Sequence, residues 1–229
     1  MFYKINPSGM GRDAFERMCK ENGYESKRRS IRARTTDSSG VIRFANVLAS
    51  TTLRCPYQAW SSDITYYELN ERFYYITFIM DCFTRVIVGY SISDNLRTLN
   101  TSLPALKAAI KKREHMIKPG LIFNSDGGGQ YYSKEFLECT QGMKMINSMC
   151  EYAYENGKAE RLNGVIKNNY LRYFKIKTYA QLIKNVDRAV ELYNCDKPHK
   201  ALKYNTPADF EKEWFILHEK NSKSNLKIR

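Results

Sequence analysis

Three β-rich runs in close succession constrain this chain more than any other feature. Residues 63–69, 73–80 and 85–93 are dense in Tyr, Ile, Phe, Thr and Val, the residues that suit a pleated, half-buried surface. Only Asn70-Glu71-Arg72 and residues 81–84 separate them, which is hairpin length. The three runs therefore form an antiparallel meander, and beyond it the pattern changes to alternation. A helix is predicted from about 101 to 113, with Pro104 in its first turn where proline is tolerated. A short apolar run, Leu121-Ile122-Phe123, ends at Asn124-Ser125-Asp126-Gly127-Gly128-Gly129. A helix over 134–141, a strand over 143–148 and helices over about 156–173 and 178–194 follow. The last has Tyr179, Leu182, Ile183, Val186, Ala189, Val190 and Tyr193 on one stripe. The order β-β-β-α-β-α-β-α implies an α/β fold, a mixed sheet with helices on its faces.

Charge narrows the function. The 229 residues carry 37 Lys+Arg against 24 Asp+Glu, a net charge of +13, which points to a polyanionic partner. The excess is uneven: residues 1–54 hold 11 basic and 5 acidic side chains, 55–160 hold 11 and 12, and 161–229 hold 15 and 7. A near-neutral middle is flanked by two basic arms. No apolar run approaches the ~20 residues needed to span a bilayer, and the N-terminus has no hydrophobic signal core. Six widely spaced cysteines without a CxxC pair fit reduced thiols in the cytoplasm better than a disulfide framework or a zinc site.

The arms divide the chain into three expected parts. Residues 1–54 form a basic N-terminal segment, with a helix over 9–22 closed by Asn22-Gly23 and then an extended stretch. Lys27, Arg28, Arg29, Arg32 and Arg34 crowd that stretch and suit a linker that follows a phosphate backbone. Residues 55–175 form the core, and 176–229 a helix and a basic tail whose last ten residues fray.

Strand ends beside loops are where α/β folds place chemistry, and three acids stand there. Asp63 opens the first strand, Asp126 follows the fourth, and Glu160 lies near the start of the helix over 156–173. At 100° per residue, with Glu160 at zero, Leu162, Val165 and Ile166 fall at about 200°, 140° and 240°, forming an apolar face opposite it. Lys167 falls about 20° from Glu160, with Asn163 and Gly164 on either side. Glu160 and Lys167 are thus expected to share an outward face, carboxylate and phosphate-reaching ammonium together. Three carboxylates suit phosphodiester chemistry by two divalent cations ~3.5–4 Å apart, which require hard oxygen ligands. Asp81 competes with Asp63 on spacing, but suits the hairpin turn before Thr84-Arg85. Gln130, beyond the glycines, either touches DNA, scaffolds the site or stands in solvent. His199 in Lys197-Pro198-His199-Lys200 reads as structural or phosphate-contacting, since no second ligand sits at zinc spacing.

Five ordered motifs carry a resemblance. They are Trp60-x-x-Asp63-Ile64-Thr65-Tyr66, the run Met80-Asp81-Cys82-Phe83-Thr84-Arg85-Val86-Ile87-Val88-Gly89-Tyr90, Asn124-Ser125-Asp126-Gly127-Gly128-Gly129-Gln130-Tyr131, Tyr154-Glu155-Asn156-x-x-x-Glu160, and Tyr193-Asn194-x-x-Lys197-Pro198-His199-x-Ala201-Leu202 with Thr206-Pro207. The series resembles bacterial insertion-sequence transposases with a retroviral-integrase-like DDE core, most of all the group expressed by programmed frameshifting, of which this chain would be the downstream-frame product. The resemblance runs from about residue 8 to 213 and implies an RNase H-like fold. It implies a metal-binding catalytic triad of Asp63, Asp126 and Glu160, no such role for Asp81, and use of Mg²⁺ or Mn²⁺. It further implies cleavage at element ends and joining of the 3′-hydroxyl to another phosphodiester of double-stranded DNA, by a homo-oligomer. The 33 residues between Asp126 and Glu160 are fewer than the family usually has, and little of the family's upstream DNA-recognition region is present. A truncated, catalytically inactive DNA-binding regulator of transposition is therefore the alternative.

Overall fold

The computed structural model describes residues 10–24, 44–150 and 153–225. It divides into two compact units, residues 1–37 and 38–229. In the first, helix α1 (Arg12–Glu21) is followed by Asn22 and by Gly23 at φ 73°, a left-handed C-terminal stop that glycine adopts without strain.

The second unit is built on one five-stranded sheet in the order β3-β2-β1-β4-β5. β1 (Ala59–Leu69), β2 (Arg72–Asp81) and β3 (Ile87–Ser93) form the expected antiparallel meander. β4 (Ile122–Ser125) runs parallel to β1, and β5 (Ile146–Met149) parallel to β4. Between and after them lie α2 (Ser102–Arg113), α3 (Lys134–Gly142), α4 (Gly157–Asn169), α5 (Tyr179–Cys195) and α6 (Pro207–Asn225). The order matches the α/β, RNase H-like layout. Among the described residues no helix is long and apolar enough to cross a membrane, and all six thiols are free.

Alternation along the strands creates two cores. Trp60, Ile79, Val88 and Phe123 pack with Leu103, Leu106 and Ala109 of α2 and Phe136 of α3. Ile76, Phe78, Met80 and Ile87 point the other way, onto Leu162 and Ile166 of α4 and Leu182, Val186, Ala189 and Tyr193 of α5. The apolar face deduced for α4 is the buried one. α2 lies directly on β3: a Cβ on Gly89 would stand 2.5 Å from the Ala105 carbonyl oxygen and 2.6 Å from Ala109 Cβ. Only glycine permits that approach.

Four expectations need correction. β1 begins at Ala59, four residues early, because Ala59, Trp60 and Ser61 pair with β4. Asp63 is thus inside the strand rather than its first residue. β5 begins at Ile146, because Lys144 at φ 52° and the bonds Lys144 N to Gln141 O and Met145 N to Thr140 O close α3 first. The helix over 156–173 ends at Asn169 and gives way to a 3-10 turn, Leu171–Tyr173. The tail is not frayed from residue 220, since α6 continues to Asn225. That helix starts on Thr206, whose hydroxyl accepts from Asp209 N, and a nucleated helix extends with one hydrogen bond per added residue. Near the start of β1, Val47, Leu48 and Leu53 pack on Ala59, Cys82 and Ile122, and α5 is integral to the second core.

Candidate active site

The site grows from the parity of β1. Trp60, Ser62 and Ile64 face the α2–α3 side, and Ser61 and Asp63 face the Asn156–Asn163 side of α4. Asp63 is odd, and Asn163 Nδ2 of α4 donates to its Oδ2 at 2.8 Å while the Ile64 amide donates to Oδ1 at 2.9 Å. The last β1–β4 pair is Ser61 with Asn124, so two residues further along these parallel strands stand Asp63 and Asp126. Asp126 starts the glycine loop: its Oδ1 accepts from Gly128 N at 3.1 Å, and its carbonyl accepts from the Tyr132 hydroxyl at 2.7 Å.

Glu160 lies in the first turn of α4 and is exposed. The helix is registered on β1 by Asn156, which is buried. Ser61 Oγ donates to its Oδ1 at 2.7 Å, and its Nδ2 donates to the Ser62 carbonyl at 3.1 Å. Further along, Lys167 Nζ donates to the Tyr66 carbonyl at 2.8 Å and stands 4.5 Å from that ring's centroid. Asn156, Asn163 and Lys167 therefore stitch α4 along β1.

Electrostatics bind the three acids together. Burial first, then the charges of Asp126 and Glu160, push the Asp63 carboxyl up to about 7. Burial also raises Asp126. Among the described residues no Lys or Arg forms an ion pair with any of the three. Nor, among those residues, do three His, Cys, Asp or Glu side chains stand close enough to enclose an ion. The donor set nevertheless suits a divalent cation. Each carboxylate oxygen can accept twice; Asp63 uses one acceptance on each oxygen and Asp126 one on Oδ1. A buried carboxyl raised by two neighbouring carboxylates, as Asp63 is, is what a hard cation relieves. Glu155, the nearby alternative, acts on Cys150, whose buried thiol is raised to about 11.

Other expected residues fall into distinct places. Asp81 is fully buried and accepts from the amides of Tyr57, Phe83 and Thr84 and from the Thr84 hydroxyl; it builds the turn. Asn163, expected on the DNA side, is instead buried against Asp63, because α4 turns that edge toward β1. Lys167 is likewise held on β1 rather than projecting outward. Gln130 is half-buried, and its carbonyl accepts from Ser102 Oγ at 2.6 Å. His199 stands edge-on to Tyr193 and is depressed to about 4, chiefly by burial. Lys27, Arg28, Arg29, Arg32 and Arg34 lie outside the described residues.

Sequence reasoning missed the supporting polar residues. Asn156 sat in a motif without a role. Ser62 Oγ donates to the Phe78 carbonyl and takes a hydrogen bond from the Tyr131 hydroxyl at 2.9 Å. Beneath β4, Asn124 donates to Cys150 Sγ and accepts from Ser148. These bonds join residues far apart in the chain and leave no local pattern.

Comparisons with known proteins place the chain. Two family models, each described as an integrase core domain, match residues 54–153 and 141–207, together about two thirds of the sequence. The insertion element IS600 uncharacterized 31 kDa protein of Shigella sonnei is 29% identical over 210 residues, covering 90% of this chain and 76% of that protein. The transposase for insertion sequence element IS904 of Lactococcus lactis is 30% identical over 160 residues, covering 69% and 62%. That for IS629 of Shigella sonnei is 30% identical over 165 residues, covering 70% and 53%. The chain thus spans less than two thirds of the last two. In fold it is similar to the HTLV-2 integrase catalytic core domain in complex with magnesium, with a TM-score of 0.55, 21% identity, and 69% of this chain and 97% of that one covered. An integrase chain of the simian T-cell lymphotropic virus intasome matches with a TM-score of 0.59 and 19% identity, covering 76% and 58%. Strand order and the matched spans agree: the chain carries an integrase core domain and is similar to insertion-sequence transposases.

Proposed function

We propose that this chain cleaves DNA strands at the ends of a mobile element and joins the freed 3′-hydroxyl to a target phosphodiester, with Asp63, Asp126 and Glu160 as its metal-binding catalytic residues. One observation carries the reading: Asp63 in β1 and Asp126 just past the end of β4 each lie two residues beyond the last pair of these adjacent parallel strands, the charges of Asp126 and Glu160 act on Asp63, and among the described residues no Lys or Arg forms an ion pair with any of them. Two Mg²⁺ ions, or Mn²⁺, would activate the attacking oxygen and stabilise the leaving one. The chain's part is positioning. Ile64 N and Asn163 orient the Asp63 carboxylate, Gly128 N holds Asp126, and Asn156 sets where along β1 the turn bearing Glu160 begins. Asp63 must lose its proton before it can ligate.

DNA supplies the anion that the basic arms fit. Lys27, Arg28, Arg29, Arg32 and Arg34 grip the backbone, and Gln130 acts nearer the carboxylates. Two or more protomers act on paired ends, in the cytoplasm where the element's DNA lies.

The inactive regulator is the second reading, favoured by the absence, among the described residues, of three acids gathered tightly enough to enclose an ion. Strand transfer from pre-cleaved ends separates the two. The enzyme requires Mg²⁺-dependent products, lost in Asp126→Asn with DNA binding retained. Wild-type DNA binding without metal-dependent nicking or transfer would establish the regulator.

A further inference from the structure

The turn from β2 to β3 holds an arginine where the backbone favours glycine. Arg85 has φ 67°, a left-handed conformation that strains a side-chain-bearing residue. Turn closure does not need that side chain: Asp81 accepts its four bonds from Tyr57, Phe83 and Thr84, and Arg85 contributes only its amide, to the Asp81 carbonyl at 2.9 Å. A glycine would close the same turn without strain.

Two further segments bring cations to Arg85. Asn194 ties the last turn of α5 to β3, accepting from Ile87 N at 2.9 Å and donating to Ile87 O at 3.2 Å. This sets Tyr193 and the following residues beside the turn, with the His199 ring 4.9 Å from that of Tyr193. The charges of Lys197, Arg85 and Arg161 all act on His199; those of Arg85 and Arg161 act on Tyr193, and those of Lys158 and Arg85 on Cys82. Lys158 and Arg161, three residues apart, share one face at the start of α4. Both are exposed, and Arg161 directly follows Glu160.

Leu162, next to Arg161, packs with Ile87 and Tyr193, so the start of α4, the end of α5 and the β2–β3 turn come together and bring four cations around Tyr193, His199 and Cys82. Among the described residues none of these four forms an ion pair. Asp81 lies buried below with its oxygens occupied, and Asp196, exposed next to Lys197, acts on Tyr170. Solvated basic faces usually pair with the acids interleaved among them; here Asp196 and Glu160 adjoin Lys197 and Arg161 in sequence, yet neither forms an ion pair with these cations. The surface is open and spread over three elements, which suits the repeated phosphates of a duplex rather than one small anion.

We propose that Arg85, Lys158, Arg161 and Lys197 form a grip for the backbone phosphates of duplex DNA, beside the carboxylate site and separate from it. The guanidinium groups offer forked donors that match phosphate oxygens. The grip reads no base; Arg161 and Lys158 stand about 100° and 160° round α4 from Glu160, so it holds duplex that flanks the reacting phosphodiester. It rests on the reading of the chain as a DNA-acting enzyme.

Fluorescence anisotropy of the full chain with a labelled duplex, over a series of salt concentrations, tests it. Arg85→Gly suits the left-handed backbone, and Arg161→Ala and Lys197→Ala change partly or fully exposed positions. Each should lower the slope of log affinity against log salt by about 0.9. The combined variant should bind at least tenfold more weakly, and Arg161→Glu more weakly than Arg161→Ala. Lys111→Ala, on α2 across the sheet, should leave the slope unchanged. A combined variant that melts like wild type and keeps its slope overturns the grip but leaves the DNA reading standing. Wild-type chain with no salt-dependent DNA binding overturns both.

Discussion

Replacing Asp63 by Asn should make the metal-free protein more stable, and the size of the effect follows from the site. Burial, Asp126 and Glu160 raise this carboxyl from 3.8 to about 7. A shift of about three units corresponds to about 4 kcal/mol between protonation states. The sign is fixed by proton counting. Between about pH 4 and 7 the native chain binds more protons at Asp63 than the unfolded chain, so stability falls through that window and levels off above it. An asparagine removes the penalty but offers one oxygen to two donors, Ile64 N and Asn163 Nδ2, losing about 1–2 kcal/mol. The net gain at about pH 8 is about 2 kcal/mol, or about 4–8 °C in Tm for a chain of this size. Near pH 4 the gain should vanish and the lost hydrogen bond should leave the variant slightly less stable. Thermal melts followed by circular dichroism across this range read both ends. At the upper end Mg²⁺ should raise the melting temperature of wild type and not of Asp63→Asn. A variant that melts at or below wild type above neutrality, or a difference that ignores pH, would refute the charge repulsion assigned to this site.

Other perturbations probe the scaffold and the proton. Gly89→Ala drives a methyl into the α2 backbone and should cost about 2–3 kcal/mol in urea unfolding. Asn156→Ala strands the Ser61 hydroxyl and the Ser62 carbonyl, both buried; it should cost about 2 kcal/mol and slow strand transfer while sparing DNA binding. Because the cation must displace the Asp63 proton, the Mg²⁺ concentration for half-maximal transfer should rise about tenfold per pH unit below about 7, as a titration at several pH values would register.

The meander and the alternation after it were legible because their signals are local: strand composition, hairpin-length gaps and helical stripes. The errors lie where distant partners or unmarked caps decide. Ser61 and Ser62 do not advertise a strand, yet pairing of Ala59–Ser61 with β4 extends β1 back to Ala59. Lys144 adopts the left-handed conformation without the glycine that would have flagged the end of α3. Asp126 and Glu160 stand out as candidates from element ends, and Asp63, which proves to lie inside β1, from the motif series. Asn163 could not be placed, because helical angles show which residues share a face but not which edge of that face meets β1. The contacts of Asn156 and Tyr131 cross 95 and 69 positions of sequence, so only the folded sheet reveals them.

Strand transfer from pre-cleaved duplex ends in Mg²⁺, comparing Glu160→Gln with Glu155→Gln, tests the central claim most directly. With Glu160 as the third metal-binding carboxylate, its variant should lose transfer by about a thousandfold while binding DNA as wild type does, and Glu155→Gln should retain activity. Transfer that survives in Glu160→Gln, or that disappears in Glu155→Gln with the fold intact, would contradict the assignment.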